Sequence, residues 1–327
     1  MAKNYGLLIG VTYPNTHAYL PGCDNDVLEI YNFLKDHGYN EFDVLCDTEI
    51  FEKNHPTLKT SRPSFRNIVT SLFKLLHWAR KNPDGNVFLH YSGHGTQVAD
   101  KNWVFDSKNR TWKREEEDGR DECIVTEDLR LISDDQLKWL FSMLPETINM
   151  FSLMDSCHSG SAFDLKYYLK SPNESVTKTT QNEMKASIVM ISGCKDDQYS
   201  QSSVFNGKWY GVMSYAFLYL MNYMKYSKVN EIPLCDFWRF MGLICANFPQ
   251  IPQASCSKNL FSSLKIQCSE NSFSLIESAS KNRSFDYDDS DEKYATKKSG
   301  YRSWSLNQPK EHHQPAKQHN YYMKMKM

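Results

Sequence analysis

A recurring alternation constrains this chain more than any other feature. Short apolar runs of strand length alternate with stretches whose apolar residues fall at helical spacing. Residues 5–12 read as a strand. Val27, Ile30, Tyr31 and Leu34 then share a helical stripe that Gly38 ends. Residues 42–46 form a second strand, and Arg62-Pro63-Ser64 opens a second helix carrying Ile68, Leu72, Leu76 and Ala79. Pro83-Asp84-Gly85 breaks it before a third strand at 86–92. Ser133, with Gln136 three residues on, has the capping-box pattern and predicts a helix with Leu137, Leu140 and Phe141 inward. Strands are expected at 149–154, 187–192 and 264–267, and helices at 210–224 and 234–248. This order predicts an α/β fold: a mostly parallel central sheet with helices on both faces, a three-layer α/β/α sandwich. The ligand crevice of such a sheet lies beyond the carboxyl ends of its strands.

Composition narrows the function. With 327 residues, 40% hydrophobic and 24% charged, the chain is globular, which excludes a disordered chain or a coiled coil. A net charge of −1 provides no global field for nucleic acid or an anionic membrane. No apolar run approaches the ~20 residues of a membrane helix. Residues 7–11 read as a buried strand, not a signal peptide, so the core is expected to begin at once, without a prodomain. Nine cysteines without a CxxC pair argue against a zinc ribbon or a thioredoxin-type site and fit a reducing, cytoplasmic location. The charged run at 113–122 is expected to be a solvated loop, and 123–126 a short strand or edge piece. Residues 171–185, rich in Ser, Thr, Asn and Lys, are expected to be an exposed linker. From about 276 aliphatics become rare, and a disordered tail is expected.

Two segments carry chemistry. Tyr91-Ser92-Gly93-His94-Gly95-Thr96 and Asp155-Ser156-Cys157-His158-Ser159-Gly160 each follow an apolar strand, so in a parallel sheet they reach the same rim. A thiolate is the nucleophile, and a nearby imidazole lowers the thiol pKa or takes its proton. A lone cysteine is usually inert and a lone histidine usually a core residue; together at two strand ends, the pair reads as catalytic. His158 is the rival base, but adjacent side chains on an extended segment point apart, which favours His94. The backbone N–H groups of Gly95 and Cys157 are candidate donors to a tetrahedral oxyanion.

These segments resemble those of metacaspases, caspase-fold cysteine proteases of plants, fungi and protists. So do Leu7-Leu8-Ile9-Gly10, Leu20-Pro21-Gly22-Cys23-Asp24-Asn25-Asp26-Val27, Ile191-Ser192-Gly193-Cys194-Lys195-Asp196-Asp197-Gln198 and Gly211-Val212-Met213-Ser214-Tyr215-Ala216-Phe217. The resemblance runs in order from about residue 5 to about 265. It implies a caspase-like fold with a large-subunit part at 1–170, a linker at 171–186, a small-subunit part of the same fold at 187–270 and a tail at 276–327. It implies a His94–Cys157 dyad and cleavage of protein or peptide substrates after Arg or Lys. The basic side chain would be held by Asp26, Asp155 and Ser92, two carboxylates being suited to a guanidinium. Read without the resemblance, Asp26 is a helix-start acid and Asp155 an ordinary strand-end carboxylate. It further implies calcium as activator, bound by Asp121, Asp134, Asp135 and Asp164, and no organic cofactor. Asp134 and Asp135 also suit the first turn of a capped helix with no metal. Autocleavage would fall at Lys170, Lys178 or Lys185, and Cys23 reads as packing rather than redox-active. A monomer is implied, because extra strands cover the sheet edge that caspases use to dimerise. The rivals are a paracaspase-like enzyme of the same wider clan and a caspase-like scaffold without proteolysis. Retention of both Cys157 and His94 speaks against the scaffold.

Overall fold

The computed structural model describes residues 3–100, 103–106, 110–114, 119–157, 162–169, 176–179, 184–193, 201–259, 261, 263–269 and 271–277, with backbone only for 103–106 and 111–114. Among these, the main sheet runs in the order Thr177–Lys178, Tyr167–Leu169, Gln253–Cys256, Ser187–Ser192, Asn149–Asp155, Asn86–Ser92, Asn4–Gly10, Glu41–Cys46. The last five of these strands are mutually parallel. The first three extend the sheet antiparallel.

Period-two alternation divides each parallel strand between two cores. Leu8, Phe88, Phe151, Leu153, Val189 and Ile191 face helices Cys23–Asp36, Val212–Tyr226 and Leu234–Cys245. Leu7, Ile9, Val87, Leu89, Met150, Ile188 and Met190 face helices Phe65–Lys81 and Asp134–Phe141. Both faces are buried, so these strands read as continuous apolar runs rather than half-polar ones. Each large buried side chain contributes about 1.5–3 kcal/mol relative to exposure. This is the three-layer α/β/α arrangement the sequence predicts.

Local signals account for the element ends. Ser64 caps Phe65–Lys81, its Oγ accepting from Asn67 N–H at 3.4 Å. Ser133 and Gln136 form both bonds of the capping box. The charged run differs from expectation. Arg120–Val125 is a strand pairing antiparallel with Gly95–Ala99, so the strand begins inside the run that reads as a loop. Cross-strand partners outweigh the local preference, Gln97 Nε2 donating to Glu122 Oε1 at 2.8 Å. Tyr210 lies within a strand instead of opening a helix. Ser202–Phe205 and Lys208–Gly211 form a hairpin around Asn206 and Gly207, whose φ values of 51° and 79° suit a two-residue turn of the primed type. Within the expected linker, Thr177 and Lys178 pair with Tyr168 and Tyr167, and Lys178 and Lys185 are exposed. Ser272–Glu277 is a strand reaching the first residues of the expected tail. His158, Ser159, Gly160, Lys170, and residues 194–198 and 278–327 lie outside the described residues. No helix among the described residues is long and apolar enough to cross a membrane.

Candidate active site

The sheet register aligns the two chemical segments. Ser92 is level with Gly10 on one side and Asp155 on the other, all at carboxyl ends of parallel strands. His94 and Cys157 each follow two residues later, so both leave the sheet at one rim. Gly95 lies directly on Cys157: an added Cβ there would collide with the Cys157 carbonyl oxygen and stand 3.0 Å from its carbonyl carbon. No residue but glycine lets the two backbones approach this closely. Gly95 and Cys157, the two expected oxyanion donors, are thereby brought together.

His94 Nε2 is 2.8 Å from the Ala18 carbonyl oxygen. A carbonyl only accepts, so Nε2 carries the proton and Nδ1 is the basic nitrogen of the neutral ring. Burial pushes the imidazole below its ordinary value, with the Ala18 carbonyl opposing. The ring centroid is 4.8 Å from that of Tyr13. Cys157 is partly exposed, whereas Cys23 is buried and its thiol is pushed well up by burial. Cys23 is thus an inert packing thiol in this state.

Beside these two segments lie two buried carboxylates. Asp26, in the first turn of Cys23–Asp36, accepts from Ser92 Oγ at 2.7 Å and from Gly211 N–H at 3.0 Å. Asp155 Oδ2 accepts from Ser214 N–H at 2.8 Å and from Ser214 Oγ at 2.9 Å. Gly211 separates them: a Cβ there would meet Asp155 Oδ2 and stand 2.9 Å from Asp26 Oδ2. Burial, then the Asp155 charge, raises the Asp26 carboxyl well above the usual range. Two like charges in one dry place favour a cation between them. Asp26 is wholly buried and Asp155 nearly so.

A second acidic cluster lies at the far end of the Gly95–Ala99 strand, where Asp121 is level with Val98. Carboxylate oxygens of Asp121, Asp134 and Asp135 come within 4.8 Å of one another. Asp164 stands beside them, its Oδ2 3.3 Å from Lys138 Nζ, which is also 4.0 Å from Asp135. Asp134 Oδ2 accepts from Glu122 N–H at 2.8 Å. Burial, then Asp164, raises the Asp134 carboxyl; burial and Asp100 push Asp121 up to about 6. Among the described residues, Lys138 is the ammonium that pairs with both Asp135 and Asp164. The hard oxygen donors, gathered against their own repulsion, fit a divalent cation.

Sequence reasoning did not single out several residues of these sites. Ala18 acts through its carbonyl, which no side-chain pattern reveals. Gly211 and Ser214 lie in a segment that resembles the family, but their contact with the two carboxylates depends on the hairpin at 202–211. The Asn206-Gly207 turn was the signal that could have located it. Asp100 and Lys138 join the acidic cluster only through tertiary packing.

Comparison with known proteins accords with this geometry. The model of a family described as metacaspase, peptidase C14 domain, matches residues 5–166. Metacaspase-1A of Aspergillus niger is 30% identical over 315 residues, covering 79% of this chain and 71% of that protein. Metacaspase-1 of Candida albicans is 30% identical over 316 residues, covering 80% and 67%. A crystal structure of a Geobacter sulfurreducens protein superposes with a TM-score of 0.51 at 20% identity, covering 78% of this chain and 92% of that one, a likeness of fold alone. The chain is a cysteine-type peptidase with a three-layer α/β/α fold. It belongs to the metacaspase family.

Proposed function

We propose that this peptidase cleaves after Arg or Lys with His94 and Cys157 as its dyad, and that calcium activates it. The observation carrying the specificity is the apposition of Asp26 and Asp155 across Gly211, beside the rim where Gly95 packs on Cys157. Two desolvated carboxylates hold a guanidinium or ammonium and reject an acidic side chain, which would add a third buried negative charge.

The chemistry follows from the residues. His94 Nδ1 takes the thiol proton of Cys157, since Nε2 is committed to Ala18. The thiolate attacks the scissile carbonyl, and the Gly95 and Cys157 N–H groups receive the developing oxyanion. His94 returns the proton to the leaving amine, leaving a thioester. Water, deprotonated by the same imidazole, hydrolyses the thioester and frees the enzyme.

Asp121, Asp134 and Asp135 would hold the calcium, with Asp164 joining by exchange of its pairing with Lys138. Bound there, the ion supplies a positive charge that relieves carboxylate repulsion and ties Arg120–Val125 to the helix Asp134–Phe141. Exposure of Lys178 and Lys185 supports autocleavage in the 171–186 segment. Continuation of the sheet past Gln253–Cys256 supports a monomer.

The test is cleavage of fluorogenic peptides with Arg, Lys or Asp before the leaving group, with calcium or with chelator. Wild type and Cys157→Ala are compared. Calcium-dependent release after Arg and Lys, absent from the variant, is expected. Release after Asp would overturn the acid-pair assignment.

A further inference from the structure

We propose that Tyr13 and Tyr91 are positioning residues for His94, clamping its peptide from both sides while the Tyr13 ring seats the imidazole. This rests on the reading of His94 as the base.

The His94 peptide has left one strand and sits just before the next, yet both its polar groups are bonded. Its N–H donates to the Tyr13 hydroxyl oxygen at 3.1 Å. Its carbonyl accepts from the Tyr91 hydroxyl at 2.7 Å and from Val125 N–H at 3.0 Å. The Tyr13 hydroxyl in turn donates to the Val125 carbonyl at 2.8 Å. The Tyr91 hydroxyl also lies 2.8 Å from the Val125 carbonyl oxygen, so its single proton serves either carbonyl while the Tyr13 proton goes to Val125, and the four residues form one closed hydrogen-bonded ring.

The backbone at Tyr13 points the same way. Tyr13 has φ of 52°, in the left-handed region that bulky residues avoid. The Asp47 carboxylate holds it there, accepting from Thr12 N–H at 2.9 Å and from Tyr13 N–H at 2.7 Å. Strain of this kind persists where the surroundings over-determine it, and it clusters at functional sites. Here the strained residue places its ring 4.8 Å from the His94 ring, centroid to centroid. Phenylalanine would fill the same volume. Two buried phenols spent on one peptide make sense if the position of that peptide matters. Lateral freedom at His94 moves Nδ1 away from the thiol, and a displacement of about 1 Å can cost about 100-fold in rate.

The experiment compares wild type, Tyr13→Phe, Tyr91→Phe and His94→Ala in the full chain. It reads kcat and KM on an Arg peptide, the pH profile of Cys157 alkylation by iodoacetamide (followed by mass spectrometry of the Cys157 peptide), and Tm. Each phenylalanine variant is expected to lower kcat about tenfold with KM within about twofold, and to shift the alkylation profile toward that of His94→Ala. If a folded phenylalanine variant keeps the wild-type kcat and profile while only Tm falls, the tyrosines are structural and the proposal is overturned. Should Tyr13→Phe not fold, Tyr91→Phe decides alone. If His94→Ala itself leaves the profile unmoved, the dyad assignment falls first and takes this proposal with it.

Discussion

Asp26→Asn isolates charge at the proposed specificity site. Asp26 accepts from Gly211 N–H at 3.0 Å and from Ser92 Oγ at 2.7 Å. An asparagine keeps an acceptor for Gly211, and its amide donates to Ser92, whose hydroxyl can accept as readily as donate. Packing is retained and one negative charge is lost. Two effects of opposite sign follow. A hydrogen bond to a charged group is worth about 1.5–3 kcal/mol, so kcat/KM on Arg peptides should fall roughly 10- to 150-fold. Stability moves the other way. Burial and the Asp155 charge hold the Asp26 carboxyl well above its usual range. Between the unfolded value and that raised one, the folded state binds more protons than the unfolded state. Stability therefore decreases as pH rises through this window. Asparagine has no such proton to lose. Asp26→Asn should melt above wild type at pH 7, with the difference narrowing toward pH ~4. Steady-state kinetics on matched Arg and norleucine peptides, with thermal melts across pH, measure both. An unchanged Arg preference, or a variant less stable at pH 7, would refute the reasoning.

Three further outcomes are expected. Gly95→Ala places a Cβ on the Cys157 carbonyl oxygen, so peptidase activity should fall about 100-fold or more in a protein that still folds; near-normal turnover would show that the two segments need not touch. Burial holds the His90 imidazole down to about 4 from 6.5, and its Nε2 has no partner among the described residues. The unfolded state then binds the extra proton between these values, and stability should fall by about 3 kcal/mol as pH drops across them. His90→Asn, which can still donate to the Leu153 carbonyl that lies 3.0 Å from Nδ1, should flatten that slope in urea titrations; an unaltered slope would locate the acid sensitivity elsewhere. Calcium at 100 times its Kd should stabilise the protein by about 2.7 kcal/mol and raise Tm, and Asp135→Asn should lose most of the rise. Full retention of the rise in the variant would remove the acidic cluster as the binding site.

Much of the fold was legible because its determinants are local. The strands at 86–92 and 187–192 match the observed ones, since uniform apolar runs between turn residues leave little choice. The capping box at Ser133 formed for the same reason. Edge elements were only partly legible. The short strand expected at 123–126 starts earlier, at Arg120, because pairing with Gly95–Ala99 draws in charged residues whose own sequence argues for a loop. Tyr167–Leu169 and Gln253–Cys256 exist as strands by pairing with each other and with Ser187–Ser192. Their sequences carry no strong period, and β preference depends on the neighbours a strand acquires.

The sites divide along the same line. The sequence by itself determined that His94 and Cys157 leave a parallel sheet at one rim, because strand polarity follows from the alternation of strands and helices. It also supplied the residue types, a thiol, an imidazole and flanking glycines, that nucleophilic chemistry requires. Tertiary structure alone decided which His94 nitrogen is basic, because the Ala18 carbonyl that settles it lies in a distant loop. It alone set Asp26 and Asp155 across Gly211, turning a helix-start acid and a strand-end acid into a pair. It alone joined Tyr13 and Tyr91 on the His94 peptide. The physical reason is range: periodicity and capping act within a few residues, whereas desolvation and charge pairing act between groups that only the packed chain brings together.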